Sequence, residues 1–167
     1  ERPGAMPRAI IAASIAIVPE PQKGSISGAI RSHPDARSIP AANVSRKGAF
    51  AVANKLYGLT FTQLQSMPLY HPECQVFEVK DKDSSFVGIL YMDFFPRASK
   101  KGGAWMNNYR DQYQFTGEQE VRPVVSTTFN FSKPTGNTPA LLSFDEVETL
   151  FHEFGHALHG LLSKCHY

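Results

Sequence analysis

"SFDEVETLFHEFGHALHGLLS", residues 143–163, is the stretch from which the rest of the chain can be organised. Ser143 followed three residues later by Glu146 has the spacing of a capping box, so a helix is predicted to start here. Asp145, Glu146 and Glu148 then fall near the positive end of the helix dipole, where carboxylates are favoured. Leu150, Phe151, Phe154 and Leu158 give the same helix apolar faces to bury.

His152 and His156 stand at i and i+4, which on a helix brings both imidazoles to one face. That spacing suits two ligands of one tetrahedral Zn²⁺ at about 2.0–2.1 Å. Glu153 follows the first His and is expected to project beside the metal, where it can hold a water and take its proton. Zinc lowers the pKa of such a water towards about 7. The arrangement is HExxH, the pattern of zinc metallopeptidases. His159 is not expected to join it. Seven residues advance a helix by about 10 Å, whereas two donors on one ion sit about 3–4 Å apart. The longer metzincin pattern would need a His where Leu162 stands, so His159 is read as a supporting or packing residue. By spacing alone, His71, His166, Asp93 and Asp111 all remain open as a third ligand.

Upstream of the helix the pattern is mixed. "RKGAFAVANKLYG" (46–58) places Phe50, Val52, Ala53, Leu56 and Tyr57 at helical spacing, with Gly58 as the stop. "LTFTQLQSM" (59–67) is read as a further short helix. "CQVFEVKDKDSSFVGILYMDFFPR" (74–97) reads as a hairpin turning at "DKDSS". "AWMNNYRDQYQF" (104–115) is read as a short helix or an irregular segment. "RPVVSTTFNFSKP" (122–134) is the next strand, bounded by Pro123 and Pro134. The expected fold class is therefore α+β, a small antiparallel sheet from about 76–95 and 121–131 packed beside the His152 helix.

Composition divides the chain. Residues 1–49 contain no Phe, Tyr or Trp, and the first Leu is Leu56. A segment without large apolar side chains cannot bury enough surface to offset the entropy of ordering it. Residues 1–42 are accordingly read as disordered or as a foreign leader, and 43–167 as the folded part. "MPRAIIAASIAIVPEP" (6–21) echoes a signal peptide only weakly, since it begins inside the chain and no clean cleavage pattern follows. With 42% hydrophobic and 19% charged residues the composition is that of a soluble globular protein. A net charge of +2 argues against a nucleic-acid partner. No apolar run approaches the roughly 20 residues that span a bilayer. Cys74 and Cys165 lie far apart without metal spacing, which favours a reducing, cytoplasmic setting and leaves periplasm or secretion open.

Several of these stretches together resemble a known family. "LFHEFGHALHGLL", "GGAWMNNYRDQ", "KLYGLTFTQL" and "RPVVSTTFNFSKPTGNTPALLSFDEVETLFHEFGH" are similar to the thimet-oligopeptidase-like zinc peptidases, over residues 43–167. "GGAWM" at 102–106 and the "HG" at 159–160 favour the bacterial peptidyl-dipeptidase (dipeptidyl carboxypeptidase) branch. The resemblance implies a much longer, mainly helical, bowl-shaped zincin-type enzyme with a deep channel that admits short peptides. It implies His152 and His156 as zinc ligands and Glu153 as the general base. It further implies a third ligand, a Glu on a second helix downstream of His156, together with a downstream His and Tyr that bind substrate and stabilise the oxyanion. The given sequence stops at Tyr167, before those positions. The expectation is thus the N-terminal part of a catalytic domain, truncated, from a peptidase that releases C-terminal dipeptides from short peptides. Residues 122–131 are expected to form the sheet edge along which a peptide backbone pairs. The alternative is a non-catalytic fragment without a complete metal site.

Overall fold

The computed structural model describes residues 41–134 and 141–165. Helix α1 (Ala41–Tyr57) is followed by strands β1 (Thr60–Gln63), β2 (Gln75–Lys80), β3 (Phe86–Asp93), β4 (Trp105–Arg110) and β5 (Val124–Thr128), and then by helix α2 (Phe144–Leu161). The leader read from composition lies outside the described residues as far as position 40, while Ala41 and Ala42 belong to α1.

Local signals act where they were expected. α1 stops at Gly58, whose φ of 78° lies in the left-handed region open to glycine, and its N–H donates to the Asn54 carbonyl at 2.7 Å. β2 and β3 form the antiparallel hairpin, with Asp81 N–H donating to Ser85 O at 3.0 Å across the turn. α2 begins with a complete capping box: Ser143 Oγ accepts from Glu146 N, and Glu146 Oε2 accepts from Ser143 N at 2.8 Å.

Three readings are corrected. Residues 60–63 are a strand rather than a helix, paired antiparallel to β2. The physical reason is the alternation Thr-Phe-Thr: Phe61 turns inward and stacks on Phe50 at 4.0 Å, and β-branched Thr60 and Thr62 suit a pleated surface. Residues 105–110 are also a strand, held by antiparallel pairing with β5. That partner is distant in sequence, so local pattern does not reveal it.

The third correction concerns the sheet, which is mixed rather than antiparallel. Its order is β1-β2-β3-β5-β4, and β3 and β5 run parallel, with Leu90 opposite Val125. The chain leaves β3, builds β4 as the outer strand, and returns to lay β5 between them. Burial explains the choice. Ser126, Thr127, Thr128 and Val125 are all buried in β5, whereas Asn107, Asn108, Tyr109 and Arg110 of β4 are exposed, so the polar strand takes the edge. β5, within residues 122–131, is consequently an interior strand, and the edge expected there belongs to β4, the outer strand on that side of the sheet.

One face of the sheet carries the core. Phe77, Leu90 and Val125 stand side by side across β2, β3 and β5, and they join Ala49 and Ala53 of α1 and Leu150, Phe154, Ala157, Leu158 and Leu161 of α2 in one apolar cluster. α2 approaches closely at its last turn because β3 has no side chain at Gly88. A Cβ there would lie 2.7 Å from the Pro123 carbonyl oxygen and 2.9 Å from Leu161 Cδ2. Backbone cannot retreat as a flexible side chain can. Gly88→Ala is therefore expected to destabilise the fold by about 1–3 kcal/mol, read as a lower urea midpoint at unchanged m-value.

The opposite face carries a buried charge cluster. Asp93 is 1% exposed, and its carboxylate receives Arg97 Nη1 at 2.9 Å, Lys100 Nζ at 3.0 Å and the Tyr70 hydroxyl at 3.2 Å. Burial alone would raise the Asp93 pKa, but hydrogen bonds from Lys100 and Arg97 outweigh it and hold the carboxyl below its usual range. Lys100 Nζ also donates to the carbonyls of Asp93 at 3.2 Å and Phe95 at 2.9 Å. Asn130 Nδ2 holds the carbonyls of Lys101 at 2.8 Å and Gly103 at 2.7 Å. The loop that delivers β4 is thereby fastened at both ends.

Candidate metal centre

α2 divides sharply around its axis. Leu150, Glu153, Phe154, Ala157, Leu158, Gly160 and Leu161 are buried, while His152, His156 and His159 lie on the exposed side. The split follows from the apolar spacing, because the sheet and α1 take the apolar stripe and leave the histidines facing out.

His152 Nε2 and His156 Nε2 are 3.1 Å apart, with the two rings nearly perpendicular at 80°. Two nitrogens bound to one tetrahedral zinc at about 2.0–2.1 Å stand roughly 3.4 Å from each other. The pair needs only a small adjustment to share an ion, so these donors fit a zinc. Glu153, 8% exposed, sits about 100° round the helix from His152, on the sheet side.

The other candidates do not join this pair. His71 lies with Glu73 in the loop before β2, Nδ1 to Oε2 3.8 Å. Asp93 is engaged by Arg97 and Lys100. Asp111 accepts from Asn108 Nδ2 at 2.6 Å. His166 lies outside the described residues. Among the described residues, no three His, Cys, Asp or Glu side chains come together as a metal site.

Sequence reasoning passed over the groups that hold the far end of α2. Arg122 Nη2 donates to the Leu161 carbonyl at 2.9 Å, and Gln112 pairs with the backbone of Cys165. They are distant from α2 in sequence and follow no spacing rule. The one available signal is a Gln in a stretch read as a short helix or irregular segment and an Arg in a stretch read as a strand.

Comparison with known proteins places this helix in context. The model of peptidase family M3 matches residues 33–167. The chain is 46% identical to a dipeptidyl carboxypeptidase of Salmonella typhimurium over 124 residues, which is 74% of this chain and 18% of that protein. It is 43% identical to the Escherichia coli dipeptidyl carboxypeptidase, again over 74% of this chain and 18% of the relative. It is 38% identical to oligopeptidase A of Escherichia coli over 73% of this chain and 18% of that one. The sequence given thus spans less than a fifth of the length of these relatives. The HExxH helix, the strands before it and helix α1 all fall within one family match, and on that ground the chain belongs to peptidase family M3.

Proposed function

We propose that this chain contributes the first part of the catalytic domain of a zinc metallopeptidase of mainly helical, zincin-type architecture. It would act on short peptides and release C-terminal dipeptides, as the names of the two dipeptidyl carboxypeptidases describe for those proteins. The observation that carries the reading is the 3.1 Å approach of the two imidazole nitrogens on the open face of α2. His152 and His156 hold the ion, and a third ligand comes from outside the described residues. Bound there, zinc supplies a Lewis acid that polarises the scissile carbonyl and makes hydroxide accessible near neutral pH. Glu153 takes the proton of the attacking water on a carboxylate oxygen and passes it to the leaving amine nitrogen, general base and then general acid. β4, one of the two outer strands of the sheet among the described residues, is the edge along which a peptide backbone would pair. No helix among the described residues is long and apolar enough to cross a membrane, and the cytoplasm fits the sparse cysteines.

A second reading rests on the missing third group among the described residues. The 167-residue chain by itself is then a non-catalytic piece. Two imidazoles leave an ion weakly held and poorly oriented. We expect this chain to bind zinc weakly, to lose that binding in His152→Ala, and to release no dipeptide from a blocked short peptide at a useful rate. Zinc titration by calorimetry and a peptide-cleavage assay check both halves. Zinc binding that survives His152→Ala would overturn the metal assignment. Zinc-dependent cleavage by this chain, abolished in Glu153→Gln, would overturn the second reading and leave the first.

A further inference from the structure

We propose that Arg122 and Gln112 are positioning residues for the metal pair, fixing how far along and around its axis α2 sits against the sheet. The inference rests on the assignment of His152 and His156 as zinc ligands.

Along most of its length α2 is held by apolar contact, which is strong but without direction. Its capping box is local to its own first turn. Directional bonds to the rest of the fold come at the other end. The Arg122 side chain, 13% exposed, spans the gap: Nε donates to the Val87 carbonyl of β3 at 2.7 Å and Nη2 to the Leu161 carbonyl of α2 at 2.9 Å. A cation at the last helical carbonyls is also favoured by the helix dipole. A planar guanidinium bonded to two fixed carbonyls sets their separation and angle together.

Gln112 continues the clasp one step beyond the helix. It is 5% exposed, its Oε1 accepts from Cys165 N at 2.6 Å, and its Nε2 donates to Cys165 O at 3.3 Å. The side-chain amide therefore pairs with a backbone unit in both directions, as a neighbouring strand would. Glu120 Oε1 joins the two halves, accepting from Gln112 Nε2 at 2.9 Å and from Arg122 Nη1. Leu161, seated over Gly88, and Gly160, facing Asn108, Met106 and Val125, bring the last turn close enough for these bonds to form. A helix is a stiff rod, so an error in axial position at Leu161 is carried undiminished to His156 and His152.

The experiment titrates zinc alone into the folded 167-residue chain, its Arg122→Met, Arg122→Lys and Gln112→Leu variants, and a His152→Ala control, with amide exchange along α2 measured in parallel. Arg122→Met keeps the length of the side chain and loses the fork. We expect it and Gln112→Leu to weaken zinc binding about tenfold or more, the range seen when groups behind metal ligands are removed. Faster exchange in the last turns of α2 should accompany the loss, and Arg122→Lys, which can keep only part of the fork, should fall between. Should Arg122→Met fail to fold, Gln112→Leu, which leaves the Leu161 bond in place, carries the same comparison. Zinc affinity unchanged from wild type in the folded variants would overturn the positioning role. Zinc binding unaffected by His152→Ala would instead overturn the ligand assignment, a separate failure.

Discussion

Lys100→Met is expected to lower the stability of the fold by about 3 kcal/mol, the lower end of the cost of breaking a buried ion pair from one side. The Lys100 side chain is 2% exposed and the Asp93 carboxylate it meets is 1% exposed, so water can replace neither. The substitution leaves the carboxylate with Arg97 and Tyr70 but strips it of its most buried cation. It also leaves the carbonyls of Asp93 and Phe95 without the ammonium that satisfies them. Arg97 remaining in place is the reason for choosing the lower end. The effect carries a pH signature. Asp93 has a folded pKa below its usual value, so its contribution is present above about pH 4 and is lost as pH falls through the lowered folded value. A protonated Asp93 needs no cation. The gap between wild type and variant should therefore narrow in acid, and urea titrations at pH 7 and near pH 3 check it. A loss below about 1 kcal/mol at neutral pH would show that the pair is dispensable, as exposed pairs are.

In the zinc peptidase proposed above, Glu153→Gln is expected to reduce peptide hydrolysis by about 10²–10⁴-fold, the usual worth of a positioned general base, with zinc content unchanged. The substitution is nearly isosteric, so the buried position on the sheet side of α2 is filled as before. On the proposed role, what disappears is the ability to take a proton from water and return it to the leaving amine. Because the loss lies in the chemical step, kcat should fall while KM changes little. Zinc measured by emission spectroscopy separates this outcome from loss of the metal. Residual activity within about tenfold of wild type would assign the proton transfer to another group.

The two variants touch parts of the molecule that differ in how they were written into the chain. Glu153, His152 and His156 could be singled out from spacing, since a helix converts i and i+4 into neighbours whatever surrounds it. Lys100 could not. It stands in "ASKKGG", a stretch that reads as an exposed loop, and its burial depends on Asp93 reaching the end of β3 just where the chain turns back. Arg122 and Gln112 are hidden in the same way, because their partners Val87, Leu161 and Cys165 are remote from them along the chain.

By itself the sequence determined what rests on short-range geometry: α2 with its Ser143 cap and paired histidines, the stop of α1 at Gly58, and the β2–β3 hairpin. Each of these is settled by backbone conformation and hydrogen bonds among residues close along the chain. The tertiary structure alone decided the rest. It made a strand of 105–110, and it set β5 inside the sheet and β4 at its edge. Those choices depend on which surfaces can be covered at once. Burying Val125 and its neighbours on both sides requires β3 and β4 as flanking strands, and no local window of sequence contains all three.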